Sequence, residues 1–314
     1  MGFLLEILIP TYNRGAYLEK NINLLLSMIE QLNIKDKVQI IVSNNASTDN
    51  TVNILQNFHN NLIVYTQDIN IGLEENAVFV LRKSSSKFSM FLGDDDFISK
   101  EYLEGVIKYI ENDYYCIIPA IQAIDVTGIE MGEGKIGRDL GVKTSFNDKG
   151  YDGALKLFEK GHQLSGVTFL RDGTLESYIK ADLRNIHPFM YFVGFNCLRG
   201  KSIHFTLYPI LVTLPPQNKK DWGYGDDGLL IARLMSTFAV FRKNNIYLNK
   251  AQKHILYIDR GYGYKFLISN SGNFFNFLSM ITRSKYCTVQ NKFYFLYLEF
   301  GFIIKKLLKN ALNR

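Results

Sequence analysis

Cysteine is scarce in this sequence and forms no pattern that would hold a metal or a disulfide framework. Cys116, Cys197 and Cys287 are odd in number, lie far apart and include no CxxC pair. This spacing argues against a disulfide scaffold and against a thiolate metal site. It favours a reducing compartment.

Long apolar runs are also missing. Charged residues interrupt every apolar stretch before the ~20 residues that a membrane-spanning helix needs. The first residues, MGFLLEILIP, lack a basic region and include Glu6, so they do not predict a signal peptide. We therefore expect a cytoplasmic protein.

Charge is unevenly distributed along the chain. The formal net charge is +6, but residues 250–314 contain eleven Lys or Arg against only Asp259 and Glu299. The remainder of the chain is therefore slightly acidic. A basic, aromatic-rich C-terminal region predicts contact with phosphate groups or with an anionic membrane surface. We expect no nucleic-acid partner.

The first 120 residues alternate between strand-like and helix-like patterns. The apolar runs FLLEILI, KVQIIVS, LIVYT and FSMFL predict four strands. The segment YLEKNINLLLSMIEQL has apolar residues at helical spacing, and two further helices are predicted around 52–58 and over 73–83. This order predicts an α/β fold with a mostly parallel sheet.

Three polar clusters each follow a predicted strand. They are PTYNR at 10–14, SNNASTD at 43–49 and GDDDF at 93–97. Ligands of parallel sheets bind at the carboxyl ends of the strands, where loops and helix N-termini converge. The sequence therefore predicts one site at this edge of the sheet.

The clusters resemble the nucleotide-sugar-dependent glycosyltransferases of family 2, which have the GT-A fold. The matching residues are P-T-Y-N-R at 10–14, N-N-A-S-T-D at 44–49, N-x-G at 70–72 with a later Asn76, and G-D-D at 93–95. Order and spacing agree over roughly residues 3–120. The second half of the chain matches only loosely.

The resemblance implies a donor-binding site and a metal site. The donor-binding residues would be Pro10, Thr11, Tyr12, Asn13, Arg14, Asn44, Asp49, Asn70, Gly72, Asn76 and Asp94. The metal, Mn²⁺ or Mg²⁺, would be held by Asp95 first, with Asp94 and Asp96 as further ligands, and would neutralise the leaving diphosphate. Two alternatives stay open, since Asp49 and Asp96 could instead cap the helix or turn that follows each of them.

Two residues depart from the family pattern. Asn44 stands where the family usually has an Asp that accepts from the N3–H of uracil. An Asn oxygen can accept the same bond, but its NH₂ could also face a base acceptor such as that of cytosine. Gly93 replaces the first Asp of the acidic motif, which leaves Asp95 as the best-aligned ligand. Because the Asn44 oxygen can still accept from the N3–H of uracil, a uridine donor is favoured.

The resemblance also implies a general base in the second half of the chain. Inverting members of the family use an Asp in an acidic pair ahead of a helix, and 222–234, WGYGDDGLLIARL, offers Asp227 with Asp226 second. Repulsion within such a pair raises one pKa toward the range of a base. An alternative alignment places the base near Asp182 or at His187.

The predicted activity is inverting transfer of a sugar to an acceptor hydroxyl, in surface polysaccharide, lipopolysaccharide or glycoconjugate synthesis. The acceptor would be a glycan or a lipid-linked glycan, with Trp222 and Tyr224 able to stack on its sugar. Two other functions remain open on the same scaffold. One is a sugar-phosphate nucleotidyltransferase, and the other is a nucleotide-sugar or glycan-binding protein without activity.

Three regions are predicted. Residues 1–125 would bind the donor, 126–249 would carry the acceptor site and the base, and 250–314 would form a basic, aromatic helical region. Within 291–314, helical spacing brings several apolar residues onto or near one face: Leu296, Phe300, Ile303, Ile304, Leu307 and Leu308. This pattern suits a helix that lies on an anionic membrane, and it also suits a helix packed on the protein.

Overall fold

The computed structural model describes residues 2–125, 127, 137–183, 187–214, 236–253, 279 and 282–312. The chain divides into two compact units. The first comprises Met1–Asp182 and His187–Asp221, and the second comprises Leu183–Ile186 and Trp222–Arg314. One sheet runs through the first unit, so it continues across the predicted boundary between residues 125 and 126.

The first part of this unit alternates strands and helices as predicted. In chain order the elements are β1 (Leu5–Thr11), α1 (Gly15–Gln31), β2 (Val38–Asn44), α2 (Thr51–Asn57), β3 (Ile63–Thr66), α3 (Leu73–Lys83), β4 (Phe88–Phe91) and α4 (Lys100–Glu111). Strands β1, β2, β3 and β4 are mutually parallel where they pair. The prediction of a parallel α/β half is confirmed.

The second part of the unit extends the same sheet. Its elements are β5 (Tyr114–Ile124), β6 (Gly137–Arg138), β7 (Ser145–Asn147), α5 (Tyr151–Leu157), a 3₁₀ turn (Phe158–His162), β8 (Thr168–Leu170), α6 (Thr174–Lys180), α7 (Pro188–Cys197) and β9 (Lys201–Thr213). The strand order is β3-β2-β1-β4-β8-β5-β9-β7, with β6 paired to β5. Strand β8 is antiparallel to both of its neighbours, and β9 is parallel to β5.

Burial explains why the first strands and helices form where they do. All seven residues of β1 are buried, as expected of a strand covered on both faces. Helix α1 buries Leu18, Ile22, Leu25 and Ile29, the residues whose spacing predicted it. Each such side chain contributes ~1.5–3 kcal/mol on burial. The strand ends that carry the polar clusters are thereby held by the core.

Within the described residues, the second unit contains a 3₁₀ turn (Phe238–Phe241) and two helices, α8 (Asn245–Lys253) and α9 (Val289–Leu312). The two helices contact each other through a polar group: the Asn291 amide donates to Gln252 Oε1 of α8 at 2.6 Å. No helix within the described ranges is both long and apolar enough to cross a membrane.

Ionisable side chains connect three elements: β6, β9 and the 3₁₀ turn that precedes β8. Asp139 lies 2.7 Å from Lys160 Nζ and 3.1 Å from His204 Nε2, and the Arg138 guanidinium lies 3.4 Å away. Burial alone would raise the pKa of Asp139, but the neighbouring His204 and Lys160 outweigh it and hold that pKa well below its usual range. The folded protein therefore favours the ionised carboxylate.

Asp139→Asn is expected to lower the free energy of unfolding at pH 7 by roughly 1–2 kcal/mol, because it removes partly buried charge-assisted contacts. Since folding lowers this pKa, the stabilisation is present above the unfolded pKa of about 4 and is lost as the pH falls through the folded value. Urea unfolding of the wild type and the variant at pH 7 and pH 3 measures the difference. A gap that widens at pH 3 would contradict this assignment.

Candidate active site

The structure brings the three predicted polar clusters to one edge of the sheet. Strands β1 and β2 pair in register up to Thr11 and Asn44, and Leu92 follows β4 beside them with its N–H on Leu8 O. The loop after β1 binds the loop after β2, because Asn13 Oδ1 accepts from Thr48 N at 2.7 Å. The three clusters therefore lie together at the carboxyl ends of the strands, as their order along the chain predicts.

The acidic segment, Asp94–Asp96, is held by side chains from three other elements. Asn21 of α1 donates to the carbonyls of Gly93 and Asp96 at 3.0 and 2.9 Å. The Gly93 N–H donates to Ser165 Oγ at 2.8 Å, and the Thr213 hydroxyl at the end of β9 donates to Asp95 O. These contacts fix the main chain from which the carboxylates project.

The Asp96 carboxylate is occupied by protein donors. It is almost fully buried and accepts from the Ser165 hydroxyl, from Gln163 Nε2 at 3.3 Å and from Thr213 N at 2.9 Å. Burial, with the charge of Asp95, raises its pKa to about 7, and the Ser165 and Thr213 donors oppose that rise. Asp96 was predicted as a metal ligand. In the structure its carboxylate oxygens instead accept hydrogen bonds from Ser165, Gln163 and Thr213.

Gly93 occupies the position of the first Asp of the family's acidic motif. The space around it explains why a glycine is found there. A Cβ at this position would lie 2.7 Å from Asp96 Oδ2 and 3.1 Å from Ser165 Oγ. Both atoms are held by the hydrogen bond between them. A side chain at residue 93 would therefore displace the contacts of Asp96.

Gly93→Ala is expected to lower the free energy of unfolding by about 1–3 kcal/mol, as overpacking does in well-packed sites. Activity should fall with it, because the acidic segment must shift. Thermal unfolding measures the first effect. The matched control is Gly2→Ala, where an added Cβ meets nothing within 4 Å. Equal stability of the two variants would contradict the packing argument.

Asp94 and Asp95 have smaller sets of protein donors than Asp96: the Thr11 hydroxyl and the Tyr12 N–H act on Asp94, and the Arg14 guanidinium lies beside Asp95. Burial and the charge of Asp95 raise the pKa of Asp94 to about 7. Burial also raises the pKa of Asp95, against the opposing charge of Arg14, whose Nε lies 3.8 Å from Asp95 Oδ2. One arginine at this distance leaves the pair short of positive charge. The arrangement suits a bound cation.

The donor set fits Mn²⁺ or Mg²⁺, which prefer carboxylate oxygens. Among the described residues no three His, Cys, Asp or Glu side chains group closely enough to enclose a metal on their own. A cation at Asp95 and Asp94 would therefore need oxygens from a ligand or from water to complete its coordination.

The base-binding candidates differ in exposure. Tyr12 is 42% exposed and offers its ring at the edge of the site, whereas Thr11 and Asn44 are buried. Asn44 Oδ1 accepts from Ser47 N at 3.0 Å, which orients the amide, and its NH₂ group has no hydrogen-bond partner among the described residues. The Thr11 hydroxyl is likewise buried and lies beside the Asp94 carboxylate, where it opposes the rise in pKa that burial causes.

Several predicted donor-binding residues have structural contacts instead of open polar groups. Asn76 is buried and exchanges two hydrogen bonds with Ser43, at 2.6 and 3.0 Å. Asp49 accepts from Thr51 N at 3.0 Å and from Gly15 N at 3.3 Å, which is the capping alternative for this residue. Pro10 lies inside β1, paired with Ser43.

Asn45, which the sequence analysis did not single out, ties two of the clusters together. Its NH₂ donates to Asn70 Oδ1 at 2.8 Å, and its Oδ1 accepts from Ile71 N at 2.9 Å. Asn70 Oδ1 also accepts from Gly72 N, and Gly72 has a φ of 84°, where glycine is unstrained. The motif residues Asn70 and Gly72 thus hold the loop before α3.

Of the candidate bases, His187 and Asp182 lie within the described residues. Asp226, Asp227, Trp222 and Tyr224 lie outside the described residues. His187 precedes α7, and its ring lies 6.4 Å from that of His162, next to the Gln163 that contacts Asp96. Asp182 is exposed, with a φ of 51°.

Solved structures share this architecture. Staphylococcus aureus TarS (residues 1–349, in complex with UDP-GlcNAc) matches with a TM-score of 0.59 and 16% identity, over 88% of this chain and 81% of that one. The mannosyltransferase PcManGT of Pyrobaculum calidifontis, in complex with GDP-Man and Mn²⁺, matches with a TM-score of 0.50 and 12% identity, over 94% and 85%. The fold is the GT-A fold.

The family follows from the sequence match. Residues 6–175 match the profile of Glycosyl transferase family 2, so the chain belongs to that family. It is 30% identical over 120 residues to the abequosyltransferase RfbV of Salmonella typhimurium, covering 36% of this chain and 35% of that protein. It is 35% identical over 108 residues to the Campylobacter jejuni GalNAc(5)-diNAcBac-PP-undecaprenol beta-1,3-glucosyltransferase, covering 33% and 32%. The matched region thus spans about a third of each of these two relatives.

Proposed function

We propose that this glycosyltransferase moves a sugar from a nucleotide-sugar donor to an acceptor hydroxyl, with inversion and with a divalent cation. The observation that carries the proposal is the pair of carboxylates Asp94 and Asp95, held at the carboxyl edge of the sheet with Arg14 beside them. A cation bound with a diphosphate would stabilise two adjacent buried carboxylates electrostatically far more than water alone does. This requirement argues against a binding protein without activity.

Each part of the site has a separate task in this proposal. Asp95, with Asp94, would hold Mn²⁺ or Mg²⁺, which when bound neutralises the charge that develops on the leaving diphosphate. Asp96 positions these carboxylates through its contacts with Ser165 and Thr213. Arg14, whose Nε lies 3.8 Å from Asp95 Oδ2, would supply a second positive charge to the diphosphate.

The nucleotide end of the donor would lie at β1 and β2. The exposed Tyr12 ring offers a surface for the base, and the buried Thr11 and Asn44 lie beside it in register. A uridine donor is proposed, and the TarS complex with UDP-GlcNAc shows that a protein of this fold binds one. The NH₂ of Asn44 makes a cytidine donor the main competitor.

The acceptor end of the reaction is proposed from the relatives. The Campylobacter jejuni relative is named for a glucosyl transfer to an undecaprenol-linked glycan, and TarS for N-acetylglucosamine transfer to poly(ribitol-phosphate). We place this enzyme in the synthesis of a surface polysaccharide, lipopolysaccharide or glycoconjugate. The base that accepts the acceptor proton is Asp227 in this proposal, with Asp226 and His187 as alternatives.

A panel of nucleotide sugars tests the proposal. The purified chain is incubated with UDP-, CDP-, GDP- and dTDP-sugars, with Mn²⁺ or with a chelator, and release of the nucleoside diphosphate is measured. We expect slow hydrolysis of one donor class that stops with the chelator. Hydrolysis of none of them, or formation of a nucleotide sugar from a sugar phosphate and a nucleoside triphosphate, would overturn the proposal.

A further inference from the structure

Tyr102 is a fully buried tyrosine of the first unit that reaches from α4 to the turn ahead of β8. It lies in the first turn of α4, where its N–H donates to Ser99 Oγ at 3.1 Å, and its ring stacks on Phe205 at 5.5 Å between ring centres. Its hydroxyl donates to Gly166 O at 2.8 Å. Packing alone needs only the ring, so the hydroxyl requires a separate explanation.

Gly166 follows directly on Ser165, which binds the acidic segment. Ser165 is buried, accepts from Gly93 N at 2.8 Å and donates to the Asp96 carboxylate. Gly166 has a φ of 74°, a conformation that favours glycine, and an added Cβ would lie 3.2 Å from the Tyr102 hydroxyl. The hydroxyl therefore contacts the turn that places Ser165.

These contacts form a closed loop around the acidic segment. From Asp96 the chain runs directly into α4 and reaches Tyr102 in its first turn. The Tyr102 hydroxyl binds Gly166 O, and the adjoining Ser165 returns to Asp96. Gly166 O also accepts from Thr168 Oγ1 at 3.2 Å, so it keeps a donor when the Tyr102 hydroxyl is removed. Removing that hydroxyl opens the closed loop at one point only.

The Tyr102 phenol can act on position but not on charge. Burial raises its pKa well above the ordinary value, so the phenol stays neutral and its hydroxyl remains a donor. A neutral phenol that is bound to a main-chain carbonyl neither attracts a cation nor supplies a proton near neutral pH. What it can change is where the turn at Gly166 holds the acidic segment.

We propose that Tyr102 is a positioning residue for the carboxylates of the acidic segment, acting through Gly166 and Ser165. This inference rests on the proposed function, because the placement of Asp94 and Asp95 matters to a cation that they would hold. Partners in the outer shell of a metal site commonly change metal affinity by about 10–100-fold. Tyr102 acts through one further contact, so an effect near the lower end is expected.

Tyr102→Phe tests the inference because it removes the hydroxyl and keeps the ring. Mn²⁺ binding to the purified chain, with UDP or CDP present, is measured by titration calorimetry. We expect the variant to bind Mn²⁺ about tenfold more weakly. The Gly93 N–H, which donates to Ser165, should exchange with deuterium roughly two- to tenfold faster, the range that one hydrogen bond gives. This second readout needs neither metal nor activity.

Tyr191→Phe is the matched control, since it removes the hydroxyl of another buried tyrosine. Tyr191 Oη lies 2.7 Å from Ser177 Oγ and joins α7 to α6. This variant should lose a similar amount of thermal stability, yet keep wild-type Mn²⁺ binding and wild-type exchange of the Gly93 N–H. Thermal unfolding of both variants shows that each is folded. The comparison separates positioning of the acidic segment from a general loss of stability.

A double-variant cycle tests the route through Ser165. Ser165→Ala removes the hydroxyl that binds Gly93 and Asp96, and alone it should weaken Mn²⁺ binding more than Tyr102→Phe does. In the Ser165→Ala background, Tyr102→Phe should change Mn²⁺ binding by less than about twofold, because the contact through which it acts is already absent.

Two results would contradict the inference and leave the proposed function intact. The folded Tyr102→Phe variant could bind Mn²⁺ as tightly as the wild type, or the losses from Tyr102→Phe and Ser165→Ala could be fully independent. A wild type that binds no Mn²⁺ with either nucleotide would contradict the proposed function, and the inference with it. That failure is distinguishable because it is seen without any variant.

Discussion

Asp95→Asn is expected to reduce sugar transfer by about a thousandfold or more while leaving the fold intact. The substitution keeps the shape of the side chain but removes the charge that would attract the cation, and several kcal/mol of transition-state stabilisation are lost with it. Stability should be unchanged or slightly higher, since the repulsion on Asp94 is relieved and the Asp95 side chain is partly open to solvent.

Two further variants test whether the loss of activity is specific to Asp95. Asp36→Asn removes an exposed acid ahead of β2, at the opposite edge of the sheet, and should have wild-type activity. Asp96→Asn should lower both stability and activity, because Asp96 holds Ser165 and Thr213. Transfer rates with saturating Mn²⁺ and thermal unfolding of all three variants are the measurements. Near wild-type transfer by Asp95→Asn would remove Asp95 from the metal site.

The second large effect is expected at the base. Asp227→Asn should lower kcat by 10²–10⁴-fold, the usual contribution of a general base, and leave donor affinity unchanged. The reason is that a base acts in the transition state and adds little to ground-state binding. Asp226→Asn, which alters the adjacent charge, is expected to have a smaller effect. Donor binding by calorimetry and single-turnover transfer rates separate the two steps.

His187 is the alternative candidate for the general base, and a variant of it tests that alternative. His187→Asn removes the imidazole but keeps a residue type that is favoured at a helix N-terminus, and His187 precedes α7. If this variant is folded and inactive while Asp227→Asn transfers normally, the alternative alignment is right. If both are active, neither residue is the base.

The first four strands and the site edge were predictable because their determinants are local. Apolar periods of two and of three to four residues identify β1, α1 and β2, and the polar clusters follow the strand ends directly. The parallel order of these strands then places the clusters together. The same local reasoning identified a C-terminal helix at 291–314, where the structure has α9 over Val289–Leu312.

Contacts between distant residues were not predictable. Ser165 and Thr213 lie 69 and 117 residues from the Asp96 they bind, and nothing in their own neighbourhoods marks them. Glu6 is similar: it is a charge inside a buried strand, and its carboxylate accepts from Ser84, Ser85 N and Ser86 N. The antiparallel β8 between β4 and β5 also depends on pairing that one strand's pattern does not specify.

The contacts of the acidic segment have a consequence for recombining this enzyme with its relatives. Among the described residues, the donors to the segment, from Asn21 to Thr213, lie within the first 213 residues, and Thr213 is the last residue of β9. A chimera joined after Thr213 therefore keeps each of these described hydrogen bonds to the acidic segment. Under the proposed function, exchanging the segment beyond that junction would change the acceptor preference and keep the donor half, whereas a junction inside β9 would separate the acidic segment from the Thr213 contacts that support it.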